Sequence, residues 1–186
     1  MKKITLATAL LTATLAMPSL AADYVVDTKG AHASINFKVK HLGYSWLTGR
    51  FNKFSGNFSY DENNVAASKI SINIDTASVD SNHSERDKHL RNDDFLDVNK
   101  FANAKFESTK VEDLGGNKLK ISGTLTLQGI NKNIVIDAVK IGEGKDPWGG
   151  YRAGFSGTTK ISMKDFGYKM DFGDISFDLH IEGVRQ

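Results

Sequence analysis

The chain has 186 residues, 40% hydrophobic and 25% charged, which is the make-up of a folded globule with room for one domain. Lys plus Arg number 24 against 22 Asp plus Glu, and the surplus pair, Lys2 and Lys3, stands at the very start. The remainder balances, so it lacks the basic excess a nucleic-acid binder needs to neutralise phosphates. With no Cys there is no disulfide, thiolate nucleophile or Cys-ligated metal.

Residues 1–21 read as an export signal. Met1-Lys2-Lys3 is a basic start, Ile4 to Leu20 carries no charge, and Ser19-Leu20-Ala21 offers small residues where a signal peptidase cuts. The uncharged run includes four Thr and Pro18 and falls short of the ~20 apolar residues a bilayer span requires. Cleavage after Ala21 would leave residues 22–186 as one domain with no membrane span. The short Lys-Lys start is bacterial in style and points to the periplasm or secretion.

Beyond the signal the pattern is period two. Ala33, Ile35, Phe37, Val39 and His41 share a face, as do Phe54, Gly56, Phe58 and Tyr60, and then Ile70, Ile72 and Ile74. Leu119, Ile121, Gly123, Leu125 and Leu127 follow, then Ala153, Phe155, Gly157, Thr159, Ile161 and Met163, and last Ile175, Phe177, Leu179 and Ile181. Weaker strands are expected at Tyr24–Asp27, Ala104–Val111 and Asn133–Ile141. Turn clusters separate them at residues 61–64, 115–117, 129–132 and 142–150. Alternation with one polar face means antiparallel strands wetted on one side, and eight or nine of them make a sandwich or a closed barrel.

One segment departs from this. From Ser81 to Arg91 the residues have helical spacing, with Asn82 as the expected cap, Glu85 three residues later, and His83–Asp87 and Asp87–Arg91 as i,i+4 pairs. Asp93 to Val98 reads as a second short turn of helix. Leu90 is the only large apolar residue in the first part, so the helical segment, about 82–98, should cover one end of the sheet instead of entering the core.

Six motifs occur in order: His41-Leu42-Gly43-Tyr44-Ser45-Trp46; Ser78-Val79-Asp80; Glu85-Arg86-Asp87-Lys88-His89-Leu90-Arg91 with Asp94-Phe95-Leu96; Leu125-Thr126-Leu127-Gln128-Gly129; Asp146-Pro147-Trp148-Gly149 with Arg152-Ala153-Gly154-Phe155; and Asp165-Phe166-Gly167. Together they closely resemble the YceI-like family of small bacterial periplasmic proteins, over essentially all of residues 22–186. Asn131 and Asn133 depart from the pattern, at what reads as a turn. The resemblance implies an all-β, antiparallel, lipocalin-like eight-stranded barrel with a long polyisoprenoid chain in its lumen; the partner expected is a polyisoprenoid or quinone-like lipid. It implies no enzyme activity and no cofactor. A second copy in a homodimer is left open.

The residues themselves point the same way. An eight-stranded barrel either fills itself with side chains or holds one small ligand. The lumen residues expected are Phe37, Val39, Phe54, Phe58, Ile72, Ile74, Phe106, Ile121, Gly123, Leu125, Phe155, Gly157, Ile161, Phe177 and Leu179. Gly56, Gly123 and Gly157 either leave gaps for a ligand or relieve bends. At the mouth, Arg86, His89, Arg91, Trp148 and Arg152 are candidates for a ligand headgroup. The plainer reading is a salt-bridged cap with turn-packing Trp residues. No metal site is expected: His83 and His89 are six apart and face different ways round a helix, and no HExxH occurs. No G-x-S-x-G elbow occurs either, so no catalytic residue is assigned. The alternatives are an enzyme on a lipid-like substrate using His89 with Glu85 or Asp87, and a stress-related scaffold with a filled barrel and no specific ligand.

Overall fold

Short glycine and asparagine turns decide which strands become neighbours. In the computed structural model, which describes residues 21–168, 170 and 172–186, Gln128 and Gly129 both take positive φ (51° and 71°) and form a two-residue hairpin loop. Gly115, Gly116 and Asn117 also take positive φ (60–79°), with Gly116 and Asn117 as the loop between two strands. The export signal read in residues 1–21 lies, apart from Ala21, outside the described residues.

The strands are β1 (Ala22–Val26), β2 (Ser34–His41), β3 (Ser45–Phe51), β4 (Phe54–Tyr60), β5 (Lys69–Asp75), β6 (Val79–Asp80), β7 (Asn103–Gly115), β8 (Lys118–Leu127), β9 (Ile130–Lys145), β10 (Tyr151–Ser162) and β11 (Asp174–Arg185); α1 (Ser84–Arg91) sits between β6 and β7. All pairings are antiparallel. The order β1-β4-β5-β7-β8-β9-β10-β11 returns to β1, so eight strands close a barrel. Closure leaves this ring without a free edge.

β11 is shared along its length. Its last residues, Gly183 to Arg185, face β1, while Ile175 to His180 face β2. Toward that second end the wall is therefore continued by the β2–β3 hairpin, whose β3 pairs with β6 at Arg50–Asp80 and Phe51–Val79. α1 follows β6 directly and covers this end.

Several local expectations change. β3 is a strand that the sequence pattern did not single out; its inward Leu47 and Phe51 alternate with Trp46, Thr48 and Arg50, a period-two signal weakened by Gly49 within the strand and Gly43 before it. The 142–150 turn is shorter than expected, since residues 142–145 belong to β9 and 146–150 make the turn. β9 runs to Lys145 past a bulge, where the register slips between Gly154 and Phe155 and leaves Ile141 unpaired and exposed. Asn131 and Asn133 lie in β9, not in a turn, and accept hydrogen bonds from Thr126 (2.8 Å) and Thr124 (3.2 Å) across the pair. The helix cap is His83, whose Nδ1 accepts from the Arg86 amide at 3.2 Å, because Asn82 turns away at φ 60°. Residues 93–98 form turns, not helix: the amides of Leu96 and Val98 reach back to the carbonyls of Leu90 and Arg91.

Candidate ligand-binding lumen

The two ends of the barrel are filled differently. At the β1 end the inward residues meet across the axis. Tyr24, Val26, Phe58, Tyr60, Val111, Leu119, Ala138 and Ala153 are buried. Tyr24 stacks on Phe58 at 4.8 Å, and Phe155 sets its edge against Phe58 and Tyr60. These aromatics plug that end. Toward the α1 end Phe37, Val39, Ile121, Ile134, Ile136, Ile175, Phe177 and Leu179 point inward yet stay half-buried. Their remaining surface lines a cavity of about 530 Å³ with an almost wholly apolar wall. That volume lies within the ~300–1,000 Å³ of small-molecule sites.

Of the expected lumen residues, Phe37, Val39, Phe58, Ile72, Ile74, Phe106, Ile121, Leu125, Phe155, Gly157, Ile161, Phe177 and Leu179 line this cavity. Phe54 does not; it packs against the core cluster, and Leu47 and Phe51 of β3 form the neighbouring wall. Gly123 does not line it either. The space of its missing Cβ is taken by the Phe106 ring and the Glu107 carbonyl. Ile72 fills the equivalent space at Gly56, and Ile136 that at Gly157. These glycines make room for cross-strand neighbours, so the lumen is open because inward side chains at the α1 end stop short of one another.

Few polar groups touch the wall. Ser68 Oγ is buried without a hydrogen-bond partner at the plugged end. Nearby, Lys140 Nζ lies 4.9 Å over the Tyr60 ring and also approaches Glu62 and Glu143. Burial raises the Tyr60 phenol above its ordinary range.

At the open end α1 is anchored through one buried carboxylate. Asp87 Oδ1 accepts from the Ser81 amide (2.8 Å) and the Ser81 hydroxyl (2.5 Å). Arg86 donates to Ser81 Oγ at 2.8 Å and to the Ser81 carbonyl at 2.6 Å. Asp87 therefore pairs with neither His83 nor Arg91 as the helical spacing implied. Arg91 is turned to the carbonyls of Ala77 and Val79, outside the lumen. Arg86 and His89 reach the lumen wall, and His89 also meets Asp94 (3.3 Å) and the Phe95 ring (5.0 Å). Phe95, Tyr168 and Phe172 form an aromatic group beside them. Burial pushes the Tyr168 phenol up to about 12. Sequence reasoning missed this group because it sits in irregular backbone with no periodicity to read.

Trp148 and Arg152, expected at the same mouth, lie at the opposite end. Arg152 donates to Asp27 (2.6 Å), Asp146 (2.8 Å) and Glu182 (2.6 Å), and stacks on Trp148 at 5.5 Å. The expectation failed because one long hairpin arm, β10, separates residue 152 from residue 162 at the open end. Asp27, His32 and Glu182 come close enough to hold a cation, but the Arg152 guanidinium already bridges Asp27 and Glu182 there. These hydrogen bonds, Arg152 first and the Gly30 amide second, hold Asp27 down to about 2.

A closed antiparallel barrel, plugged at one end and opening at the other into an apolar chamber, defines a binding protein for an apolar ligand more readily than an enzyme. The YceI-like domain matches residues 24–183, and the chain belongs to that family. It is 59% identical over 174 residues to a UPF0312 protein of Shewanella baltica, covering 91% of each chain. BcnA of Burkholderia cenocepacia shares the fold with a TM-score of 0.77 at 21% identity, over 84% of this chain and 98% of that one. A polyisoprenoid binding domain from Saccharophagus degradans has a TM-score of 0.63 at 14% identity, over 90% of this chain and 100% of that one.

Proposed function

We propose that this protein is an exported, periplasmic carrier, store or scavenger that holds a polyisoprenoid or quinone-like chain in its lumen and performs no chemistry on it. The observation that carries this reading is the cavity of about 530 Å³ with its apolar wall, open at one end. A prenyl chain is slender and apolar, and burying it contributes ~0.8 kcal/mol per methylene-sized group before ordering costs. The Saccharophagus degradans domain of the same fold supports the ligand class. Arg86 and His89 face the ligand's polar end in this reading.

The arrangement around His89 gives the enzyme alternative little support. Asp87 is bound to Ser81, and His89 meets Asp94 and an aromatic ring instead of a nucleophile. The reading is tested by mass spectrometry of an organic extract of the purified protein, with thermal melts in added prenyl quinone. A prenyl lipid in the extract and a raised Tm are expected; a lipid-free extract and an unmoved Tm would overturn it. N-terminal sequencing of the exported chain should begin at Ala22.

A further inference from the structure

The His41-Leu42-Gly43-Tyr44-Ser45-Trp46 motif contributes little to the packed core, and its side chains are unusually bare. At the β2–β3 tip Leu42 is 73% exposed and Tyr44 89%, and Trp46 on the outer face of β3 is 54% exposed. Leu42 also takes a positive φ of 49°, an uncommon conformation for a bulky residue. Val39 of β2 lies opposite Ile175 of β11, so the tip stands beside the segment leading into β11, where Met170 and Phe172 are exposed as well. Leu42, Met170 and Phe172 are at the same time part of the lumen wall. The apolar wall of the chamber thus reaches the outside of the molecule at these three residues. A cluster of exposed apolar side chains at one end of a barrel marks an interaction surface.

Charge narrows the partner. No acidic residue occurs from Ala31 to Tyr60, and Lys38 and Lys40 stand near the β2–β3 tip; Arg50 lies at the base of the hairpin opposite Asp80, and Asp174 at the start of β11 is paired with Lys160. Lys38 Nζ lies 5.1 Å over the Trp46 ring. A second copy docked tip to tip would set like charges against each other, which is unfavourable. A bilayer with anionic headgroups meets both requirements: its phosphates face the Lys heads, its hydrocarbon takes the Leu and Phe side chains, and Tyr and Trp suit the boundary between.

We propose that the β2–β3 tip, with the neighbouring Met170 and Phe172, docks the open end of the barrel on an anionic membrane surface, so that a prenyl chain passes between bilayer and lumen without crossing water. This rests on the lumen reading above but is separable from it by experiment. The probe is vesicles of phosphatidylglycerol and phosphatidylethanolamine, compared with vesicles of phosphatidylcholine alone.

The protein should sediment with the anionic vesicles, less so as salt rises, and bind the neutral ones weakly. A spin label carried on the lipid should quench Trp46, measured in the Trp148→Phe variant, and leave Trp148 alone in the Trp46→Phe variant, since the two lie at opposite ends. Tyr44→Ser with Trp46→Ser should lower vesicle affinity by at least about tenfold, and Lys38→Gln, at a lysine outside the lumen wall, by about fivefold on anionic vesicles only. In both variants the affinity of the lumen for a water-soluble farnesyl fluorophore should not change. The charge variant alters one exposed side chain only, so it remains informative if the aromatic one misfolds. A wild-type protein that ignores anionic vesicles at low salt overturns the docking proposal, whatever the lumen binds. Vesicle binding without farnesyl binding overturns the lumen reading and leaves the docking surface. A wild-type dimer that dissociates on Tyr44→Ser assigns the surface to a second copy and overturns the proposal.

Discussion

Asp27 shows how one side chain can tie a loop to the barrel and make its attachment depend on acid. Its carboxylate accepts from Arg152 and from the Gly30 amide, and these bonds lower it from an ordinary 3.8 to about 2. Between those values the unfolded chain binds the proton that the folded chain refuses. The stabilisation is therefore complete above about pH 4 and fades as pH falls toward 2. Asp27→Asn should unfold at lower temperature than wild type at neutral pH, with the gap closing through that window; scanning calorimetry across pH checks it. Arg152→Met should behave likewise, because three carboxylates lose their shared cation. Gly123 is the second case at this scale. Because the Phe106 ring lies where its Cβ would be, Gly123→Ala should destabilise by ~1–3 kcal/mol through overpacking. Prenyl affinity per folded molecule should not change. An unaltered urea midpoint would contradict the placement of Phe106.

At the scale of elements, α1 is held by polar bonds more than by apolar contact. Leu90 is its one large apolar side chain, and the buried group within it is Asp87. Asp87→Ala would leave the Ser81 amide and hydroxyl without their acceptor, at a cost of ~1–3 kcal/mol. The loss should appear in urea melts. Hydrogen exchange should also quicken in residues 84–91 before the barrel strands respond. Uniform exchange throughout would mean that α1 is not a separable cover. The capping logic of the sequence was right in kind and off by one residue: His83 does what Asn82 was expected to do, because Asn82 takes the left-handed turn leading out of β6.

At the scale of the molecule, the plugged end and the open end divide stability from binding. Residues at the β1 end bury rings against rings, while Leu179 and its neighbours keep surface free toward the chamber. Leu179→Trp should accordingly occupy ligand space with little loss of stability, and lower prenyl affinity by at least about tenfold. Ligand added at 100 times its Kd should stabilise the wild type by about 2.7 kcal/mol and the variant by much less. Equal thermal shifts in the two proteins would show that the ligand binds elsewhere.

Strand positions and faces were legible because alternation is a local property: β2, β4, β5, β8, β10 and β11 can each be read from side chains two apart. The same alternation was present at Leu47, Gly49 and Phe51 but was masked because its middle member is a glycine and Gly43 stands just before the strand. Three things lay beyond local pattern. The barrel's seam depends on β11 dividing its length between β1 and β2, a pairing of residues some 150 apart in the chain. The opposite placement of Arg152 and Arg86 follows from strand direction, which no motif records. Whether the lumen is open depends on how far inward side chains reach across the axis, and Gly123 shows why composition misleads there: the space a glycine leaves is taken by whichever neighbour the register brings beside it.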